Sequence, residues 1–169
     1  MKGLILIIIM GLKTSQAGID LIKFFEGFRS QAYLCPASIL TIGYGHTGKD
    51  IYPNMVITEK EAEELLKKDL ERFEKYVNNS VKRILIWNQF DAIVSFSYNT
   101  GYRIKGNLQK SINENNVRTT VYIMSQYNKA NINGKLIVLK GLIKRREAET
   151  FLYSTGDKET LYKKYLMKS

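Results

Sequence analysis

The segment from Glu26 to His46 reads EGFRSQAYLCPASILTIGYGH and holds the chain's only Cys and only His. Before it, apolar residues recur every three or four positions, which predicts an amphipathic helix capped by Ser15 and ending near Glu26. From Arg29 onward, strand formers and turn residues replace the helical spacing of apolar residues. We therefore expect two or three short antiparallel strands over residues 29–47. The segment therefore places a carboxyl at a helix end and puts a thiol and hydroxyls on the sheet that follows.

Helical patterns dominate the rest of the chain. Thr58-Glu59-Lys60-Glu61 is a capping box, and the apolar stripe behind it predicts a long helix to about Val77. The apolar stretch from Val81 to Gly101 contains the only Trp and predicts the centre of a helical core. Further helices are expected at 107–113, 117–127 and 142–153, with a polar loop, NKANINGK, before the last. The fold class is therefore α+β.

Charge and composition limit the kinds of partner and cofactor that the protein can be expected to bind. The 169 residues include 26 Lys and Arg against 16 Asp and Glu, and the net charge of +10 favours a polyanion such as nucleic acid, anionic lipid or an acidic cell-wall polymer. No motif interleaves aromatic and basic residues, so we expect no nucleic-acid partner. One Cys excludes an intrachain disulfide, and one Cys with one His cannot form an ordinary zinc site. We expect neither a metal nor a cofactor.

The two ends differ from the middle. Residues 1–14 form an apolar extension whose run from Leu4 to Met10 is too short to span a bilayer comfortably, since a span needs about 20 apolar residues. The extension fits an export signal, with small residues at Ser15 and Ala17, or a weak membrane anchor. The alternative is an upstream start codon, with Met10 as an internal start, or a partly buried segment. Residues 15–156 would form one folded domain, and the basic tail at 157–169 would be a solvated helix or a frayed end.

Glu26, Cys35 and Thr41 carry the chemistry that can be inferred from residue types. Glycoside hydrolysis needs one group that protonates the leaving oxygen and a second that activates water or stabilises the transition state. A carboxyl at a helix end, flanked by Phe24, Phe25 and Phe28, suits the first role because both surroundings favour its protonated form. The alternative is that Glu26 is a solvated helix-end residue.

These residues resemble the catalytic signature of the phage-type lysozymes, or endolysins, grouped as glycoside hydrolase family 24. That signature is a Glu, eight residues, an Asp or Cys, five residues, a Thr, and then Ile-Gly-x-Gly-His. The chain matches it without a gap, as Glu26, Cys35, Thr41 and the segment 42–46. The similarity continues through residues 58–69, 88–101 and 141–149. A match in four ordered blocks is far more specific than a single motif.

The resemblance implies a two-lobed, lysozyme-like fold, in which a long helix joins a small antiparallel sheet lobe to a larger helical lobe. It also implies a muramidase that hydrolyses the bond between N-acetylmuramic acid and N-acetylglucosamine in peptidoglycan. Glu26 would be the general acid, Thr41 would hold the attacking water, and Arg145 would orient the Glu26 carboxyl. His46 and Asp69 would pair, which links the sheet to the long helix.

The thiol at Cys35 leaves the mechanism open, because many members of the family carry Asp at that position. An ordinary thiol has a pKa of about 8.5 and is mostly protonated at neutral pH unless a cation such as Arg145 lowers that pKa. As a base, Cys35 would give inversion; as a nucleophile, it would give a covalent intermediate and retention. A third reading is that Cys35 packs as a small apolar residue.

The resemblance also implies a cellular location and binding partners. It implies a monomeric lysis protein that is made in the bacterial cytoplasm and acts on the cell wall, with export through its own N-terminus or through a holin-type pore partner. The alternative function is a non-catalytic cationic protein that binds the wall or perturbs the membrane. Release of reducing ends from walls would distinguish the two.

Overall fold

The computed structural model describes residues 11–35 and 38–167, and helix α1 (Gln16–Glu26) is the first element of that part. The helix forms where the apolar spacing predicts it and buries the face that includes Leu21 and Ile22. Ser15 occupies the N-cap position but does not cap the helix with its side chain. Instead its backbone N–H and its hydroxyl both donate to the Asp91 carboxylate, so the prediction of a Ser15 cap is wrong.

The small sheet consists of β1 (Arg29–Leu34) and β2 (Leu40–Gly43), which pair antiparallel with Tyr33 opposite Thr41. The two or three strands expected over residues 29–47 are therefore two, and Gln31 also forms an isolated bridge with Val56, outside that range. After β2, an antiparallel bridge between Ile42 and His46 closes a tight turn. Gly43 and Gly45 in that turn have φ angles of +65° and +89°, which side-chain-bearing residues rarely adopt.

Helix α2 (Glu59–Ser80) joins this sheet to the remaining helices, as the sequence predicts. The capping box is present: Glu61 N–H donates to Thr58 Oγ1 over 3.2 Å, and Thr58 N–H donates to Glu61 Oε2 over 2.7 Å. With 22 residues, the helix is about 33 Å long. It contacts both β2 and the next helix, so it sets the separation of the two lobes.

The helical lobe is built around α3 (Trp87–Thr100) and α6 (Lys140–Thr155), which form the most extensive contact between two elements of the described chain. Of two shorter helices, α4 (Gly106–Asn113) and α5 (Val117–Ser125), α5 packs against α6 and α4 packs against α5. Helix α3 is almost entirely buried, but Trp87 is 37% exposed. The prediction that this stretch forms the centre of the helical core is therefore confirmed, although Trp87 itself is the first residue of the helix and lies at its outer end.

The predicted polar loop before α6 is a β-hairpin. Strands β3 (Lys129–Ile132) and β4 (Lys135–Val138) pair antiparallel, with Ile132 opposite Lys135. Asn133 and Gly134 connect them with φ angles of +52° and +82°. Two adjacent residues with positive φ form the turn type that Asn-Gly favours in hairpins. The loop prediction is wrong because it gave the polar composition more weight than this dipeptide.

The C-terminal tail is packed rather than solvated. A short helix, α7 (Lys158–Thr160), leads into a π-helical segment (Leu161–Leu166). Leu161 and Tyr165 are buried, and the ring of Tyr165 lies 5.3 Å from that of Phe151 on α6. Two apolar side chains four residues apart lie on one face of the helix and pack against the domain, although lysines surround them in the sequence. The expectation of a solvated tail is therefore wrong.

Residues 11–14 run along α2. The Asn78 side chain accepts a hydrogen bond from Leu12 N–H and donates one to Leu12 O, both over 3.0 Å. The apolar run from Leu4 to Met10 lies outside the described residues. No helix within residues 11–35 and 38–167 is both long enough and apolar enough to cross a membrane.

Candidate active site

Glu26 is the last residue of α1, and the chain leaves the helix at Gly27, whose φ of +72° turns it toward the sheet. The Glu26 side chain is 24% exposed, so it is accessible yet mostly enclosed. Of the predicted aromatic neighbours, Phe25 packs on the core, whereas Phe28 is partly exposed and lies against the Tyr44 ring at 5.7 Å. The carboxyl therefore lies between the two lobes, at an apolar edge.

Arg145 on α6 holds one oxygen of this carboxyl. Its Nη1 donates to Glu26 Oε1 over 2.6 Å, its Nε donates to Glu149 Oε1 over 3.0 Å, and its Nη2 donates to Ser95 O over 3.3 Å. Burial by itself lowers the pKa of Arg145, but Glu149 and Glu26 raise it above its usual value. The structure thus brings together two predicted site residues that lie 119 positions apart, with the guanidinium charged.

Behind Arg145 lies a buried polar cluster that the sequence analysis missed. Glu149 is fully buried and also accepts hydrogen bonds from Ser95 Oγ over 2.7 Å and Arg146 Nη2 over 3.1 Å. Arg146 donates to Asn99 Oδ1 over 2.9 Å. A spacing of four residues places Arg145 and Glu149 on one helix face, a signal that was readable from the sequence. The contribution of α3 was not readable, since it depends on how α3 packs against α6.

On the sheet side, Cys35 and Thr41 meet at the same carbonyl. Thr41 Oγ1 donates to Ile39 O over 3.0 Å, and Cys35 N–H donates to that oxygen, also over 3.0 Å. Thr41 is buried in β2, whereas Cys35 follows β1 and is half-buried. The hairpin therefore places both predicted residues at one end, and one acceptor fixes the direction of the Thr41 hydroxyl.

Gly45 and Tyr98 bring the lobes together at Glu26. The Tyr98 hydroxyl donates to Tyr44 O over 2.9 Å. A Cβ on Gly45 would lie 3.8 Å from Glu26 Oε2 and 3.7 Å from the Tyr98 hydroxyl. Burial, and then the nearby Glu26 carboxylate, raises the pKa of Tyr98, so its hydroxyl stays protonated and can keep donating. Tyr98 was missed although it lies in the similar block 88–101.

His46 and Asp69 make the contact that the resemblance implies. His46 Nδ1 lies 2.7 Å from Asp69 Oδ2, and Nε2 lies 3.2 Å from the Asp50 carboxylate. Because Asp69 belongs to α2, this contact fastens the glycine-rich turn to the long helix. Among the described residues, no group of three or more His, Cys, Asp or Glu side chains is arranged to hold a metal ion.

The two oxygens of Glu26 have different surroundings. Oε1 is held by the Arg145 guanidinium, whereas Oε2 faces the backbone of Gly45, where no side chain intervenes. A carboxyl with one fixed oxygen and one directed toward an open edge can deliver a proton in a defined direction. The site is therefore suited to general acid catalysis.

Known proteins are similar to this chain in sequence. Residues 23–149 match the sequence pattern of the phage lysozyme family. The chain is 41% identical to an endolysin of Bacillus phage B103 over 160 residues, covering 87% of this chain and 56% of that protein. It is 38% identical to an endolysin of Acyrthosiphon pisum secondary endosymbiont phage 1, covering 84% of this chain and 98% of the relative. The chain thus spans about half the length of the Bacillus phage relatives that it matches.

Solved structures show the same fold. The endolysin from Escherichia coli O157:H7 phage FAHEc1 has a TM-score of 0.81 and 36% identity, over 86% of this chain and 96% of that one. The muramidase domain of SpmX from Asticaccaulis excentricus has a TM-score of 0.79 and 39% identity, over 85% and 98%. The matched region includes Glu26, Cys35, Thr41 and Arg145, and the fold is lysozyme-like, so this chain belongs to the phage lysozyme family.

Proposed function

We propose that this chain is an endolysin-type muramidase that hydrolyses the bond between N-acetylmuramic acid and N-acetylglucosamine in peptidoglycan. Membership of the phage lysozyme family supports this assignment. The observation that carries it is the Glu26 carboxyl between the lobes, with Oε1 bound to buried Arg145 and Oε2 facing Gly45. The net charge of +10 suits an anionic wall as substrate.

Glu26 acts as the general acid in this proposal. Oε2 gives its proton to the glycosidic oxygen as the bond to the sugar breaks, and the resulting carboxylate keeps its contact with the Arg145 guanidinium. Because Arg145 is fixed by Glu149 and Ser95, the carboxyl does not need to reorganise during the reaction.

Thr41 and Cys35 complete the site on the sheet side. Thr41 positions the attacking water, and Cys35 either takes a proton from that water or attacks the sugar itself. Inversion at the anomeric carbon corresponds to the first route, and retention corresponds to the second. The anomer formed first, read by NMR during digestion of purified walls, assigns the role of Cys35.

The direct test replaces Glu26 by Gln. The amide keeps an oxygen for Arg145 but cannot supply the proton, so clearing of purified walls should be abolished while the circular dichroism spectrum stays unchanged. Glu147→Gln is the matched control, since Glu147 lies on α6 and is exposed. If Glu26→Gln clears walls at the wild-type rate, the assignment is wrong.

Cys35→Asp tests the base. A carboxylate at this position can deprotonate water, so the variant should keep or gain wall-clearing activity, whereas Cys35→Ala should lose it. Loss of activity in Cys35→Asp with an intact circular dichroism spectrum would argue against the role as a base.

A second candidate is a non-catalytic cationic protein that binds walls, which the net charge of +10 alone would also explain. It predicts that walls bind the protein without releasing reducing ends. A lytic transglycosylase would also use a Glu, but it would leave anhydro-muramic termini in place of reducing ends. Mass spectrometry of the soluble products separates all three activities.

For the cellular location, we propose that the chain acts as a monomer at the wall and that residues 1–14 serve in export as an uncleaved anchor. Cleavage after Ala17 would remove Ser15, whose backbone and hydroxyl bind buried Asp91, together with the start of α1. N-terminal sequencing of protein recovered from the cell envelope is the test. A mature chain that begins at Gly18 would contradict the anchor, and export that requires a holin-type pore would assign delivery to that partner.

A further inference from the structure

The part of the chain around the β3–β4 hairpin has an unusual charge. Between Glu114 and Glu147 there is no Asp or Glu, whereas the same stretch contains seven Lys and Arg residues. Four of its lysines are exposed, on the hairpin or on the start of α6: Lys129, Lys135, Lys140 and Lys144. The hairpin is therefore the centre of a positively charged surface.

The strand register divides the hairpin side chains between two faces. Lys129 lies opposite Val138, and Asn131 lies opposite Leu136, so these four side chains share one face. Leu136 is 73% exposed and Val138 is 49% exposed. The opposite face carries Ala130, which is half-buried, and Ile132 and Ile137, which are 42% and 43% exposed. The face with Lys129, Leu136 and Val138 is the more exposed of the two, so we call it the outer face, and it combines apolar side chains with a cation.

This combination distinguishes between two kinds of anionic partner. A soluble acidic polymer would use the lysines but would leave Leu136 and Val138 in water. An anionic bilayer uses both, because lysine ammonium groups reach the headgroups while apolar side chains enter the boundary with the acyl chains. Exposed apolar side chains grouped on one face commonly mark such an interaction site.

We infer that the outer face of the β3–β4 hairpin is a docking surface for an anionic lipid bilayer, with Leu136 and Val138 entering the interface and Lys129 contacting the headgroups. The other exposed lysines around the hairpin add to the attraction. This surface does not involve Glu26, Cys35 or Thr41, so the inference stands or falls independently of the proposed hydrolase activity.

Sedimentation with vesicles tests the inference on the full chain. Vesicles of phosphatidylglycerol mixed with phosphatidylcholine are compared with vesicles of phosphatidylcholine alone. The Leu136→Ser/Val138→Ser double variant should lower partitioning onto the anionic vesicles roughly tenfold. The matched control is Ile84→Ser/Ile86→Ser, which removes two apolar residues that are 70% and 59% exposed outside the hairpin and should bind as wild type does. Unchanged circular dichroism and wall clearing show that both variants fold.

Several results would overturn the inference. One is equal binding of the wild type and the hairpin variant, and another is an equal loss in both double variants. Wild-type binding that is as strong on neutral vesicles removes the role of the lysines. A matching loss of binding to lipid-free walls assigns the surface to the wall. A dimer by light scattering that the hairpin variant abolishes assigns it to a second copy of this chain.

Discussion

The Arg145 guanidinium lies between two carboxylates, partly exposed Glu26 and fully buried Glu149. Its position is therefore set by a residue that substrate does not reach. Glu149 accepts hydrogen bonds from three side chains and is fully buried, so it fixes the guanidinium that in turn fixes the Glu26 carboxyl. The position of the Glu26 carboxyl therefore depends on buried residues of the helical lobe as well as on the residues around the carboxyl itself.

Replacing Glu149 by Gln should therefore affect both stability and rate. The amide has the same size but leaves Arg145 and Arg146 without their shared buried counter-charge. Breaking a buried pair of this kind typically costs about 3–5 kcal/mol. We expect the free energy of unfolding, measured in urea, to fall by about that amount. The molecules that remain folded should also clear walls more slowly than the wild type does, because Arg145 is less well fixed.

Glu147→Gln, two residues earlier and exposed, is the control and should stay within about 0.5 kcal/mol of wild type. Wild-type stability in Glu149→Gln would show that Arg145 does not depend on this carboxylate.

Asp91 gives a prediction of pH dependence. Burial raises the pKa of its carboxyl, and hydrogen bonds from Ser15 and Gly18 offset part of that rise. The folded state therefore keeps the proton to a higher pH than the unfolded state does. The resulting stability is fully present below the unfolded pKa of about 3.9 and is lost as the pH rises through the folded pKa.

Asp91→Asn removes this titration. The free energy of unfolding of the wild type, relative to this variant, should fall as the pH is raised from about 4 to about 7. Urea unfolding at several pH values measures the difference. A difference that stays constant over the range would contradict a raised pKa at Asp91.

Single residues at the site were partly predictable. Glu26, Cys35 and Thr41 lie within one short stretch, so their residue types made them candidates, but spacing alone left Glu26 open and their roles came from the resemblance to a known family. The Arg145 contact with Glu26 spans 119 positions and was expected only from the resemblance. Tyr98 was missed because its hydroxyl reaches the site only through the packing of α3 beside the glycine-rich turn.

Among the elements, α2 shows how local signals fix a helix that joins two lobes. Thr58→Ala removes the acceptor of the Glu61 N–H and should cost about 1 kcal/mol, since substitution of an N-cap threonine by alanine has that typical effect. Thermal unfolding followed by circular dichroism measures it. Lys60→Ala, in the same exposed turn, is the control and should leave the thermal midpoint nearly unchanged. An equal fall of the midpoint in both variants would show that the Thr58 cap does not stabilise the helix.

Elements were predictable where their signals are local and were mistaken where the signals compete. The capping box and the apolar stripe predicted α2 to within three residues at its end. The β3–β4 hairpin was mistaken for a loop because its strands are exposed and lack a buried alternating pattern, so only Asn133-Gly134 marked it. The π-helical turn at 161–166 was obscured by its lysines.

At the scale of the whole molecule, the net charge of +10 should govern how the protein reaches its substrate. Salt shortens the range of this attraction, from about 10 Å at 0.1 M to about 3 Å at 1 M. We expect the rate of wall clearing to fall steeply over that interval, while the thermal midpoint measured in the same buffers changes little. A rate that is insensitive to salt would rule out electrostatic capture of the wall.

The Thr41 hydroxyl gives its own hydrogen to Ile39 O, which leaves only lone pairs for another partner. A water that binds Thr41 must therefore turn one hydrogen toward the threonine. Its second hydrogen and its own lone pairs then point away from β2. The Ile39 carbonyl, a backbone atom outside the proposed catalytic groups, thereby sets the orientation of a water that Thr41 binds.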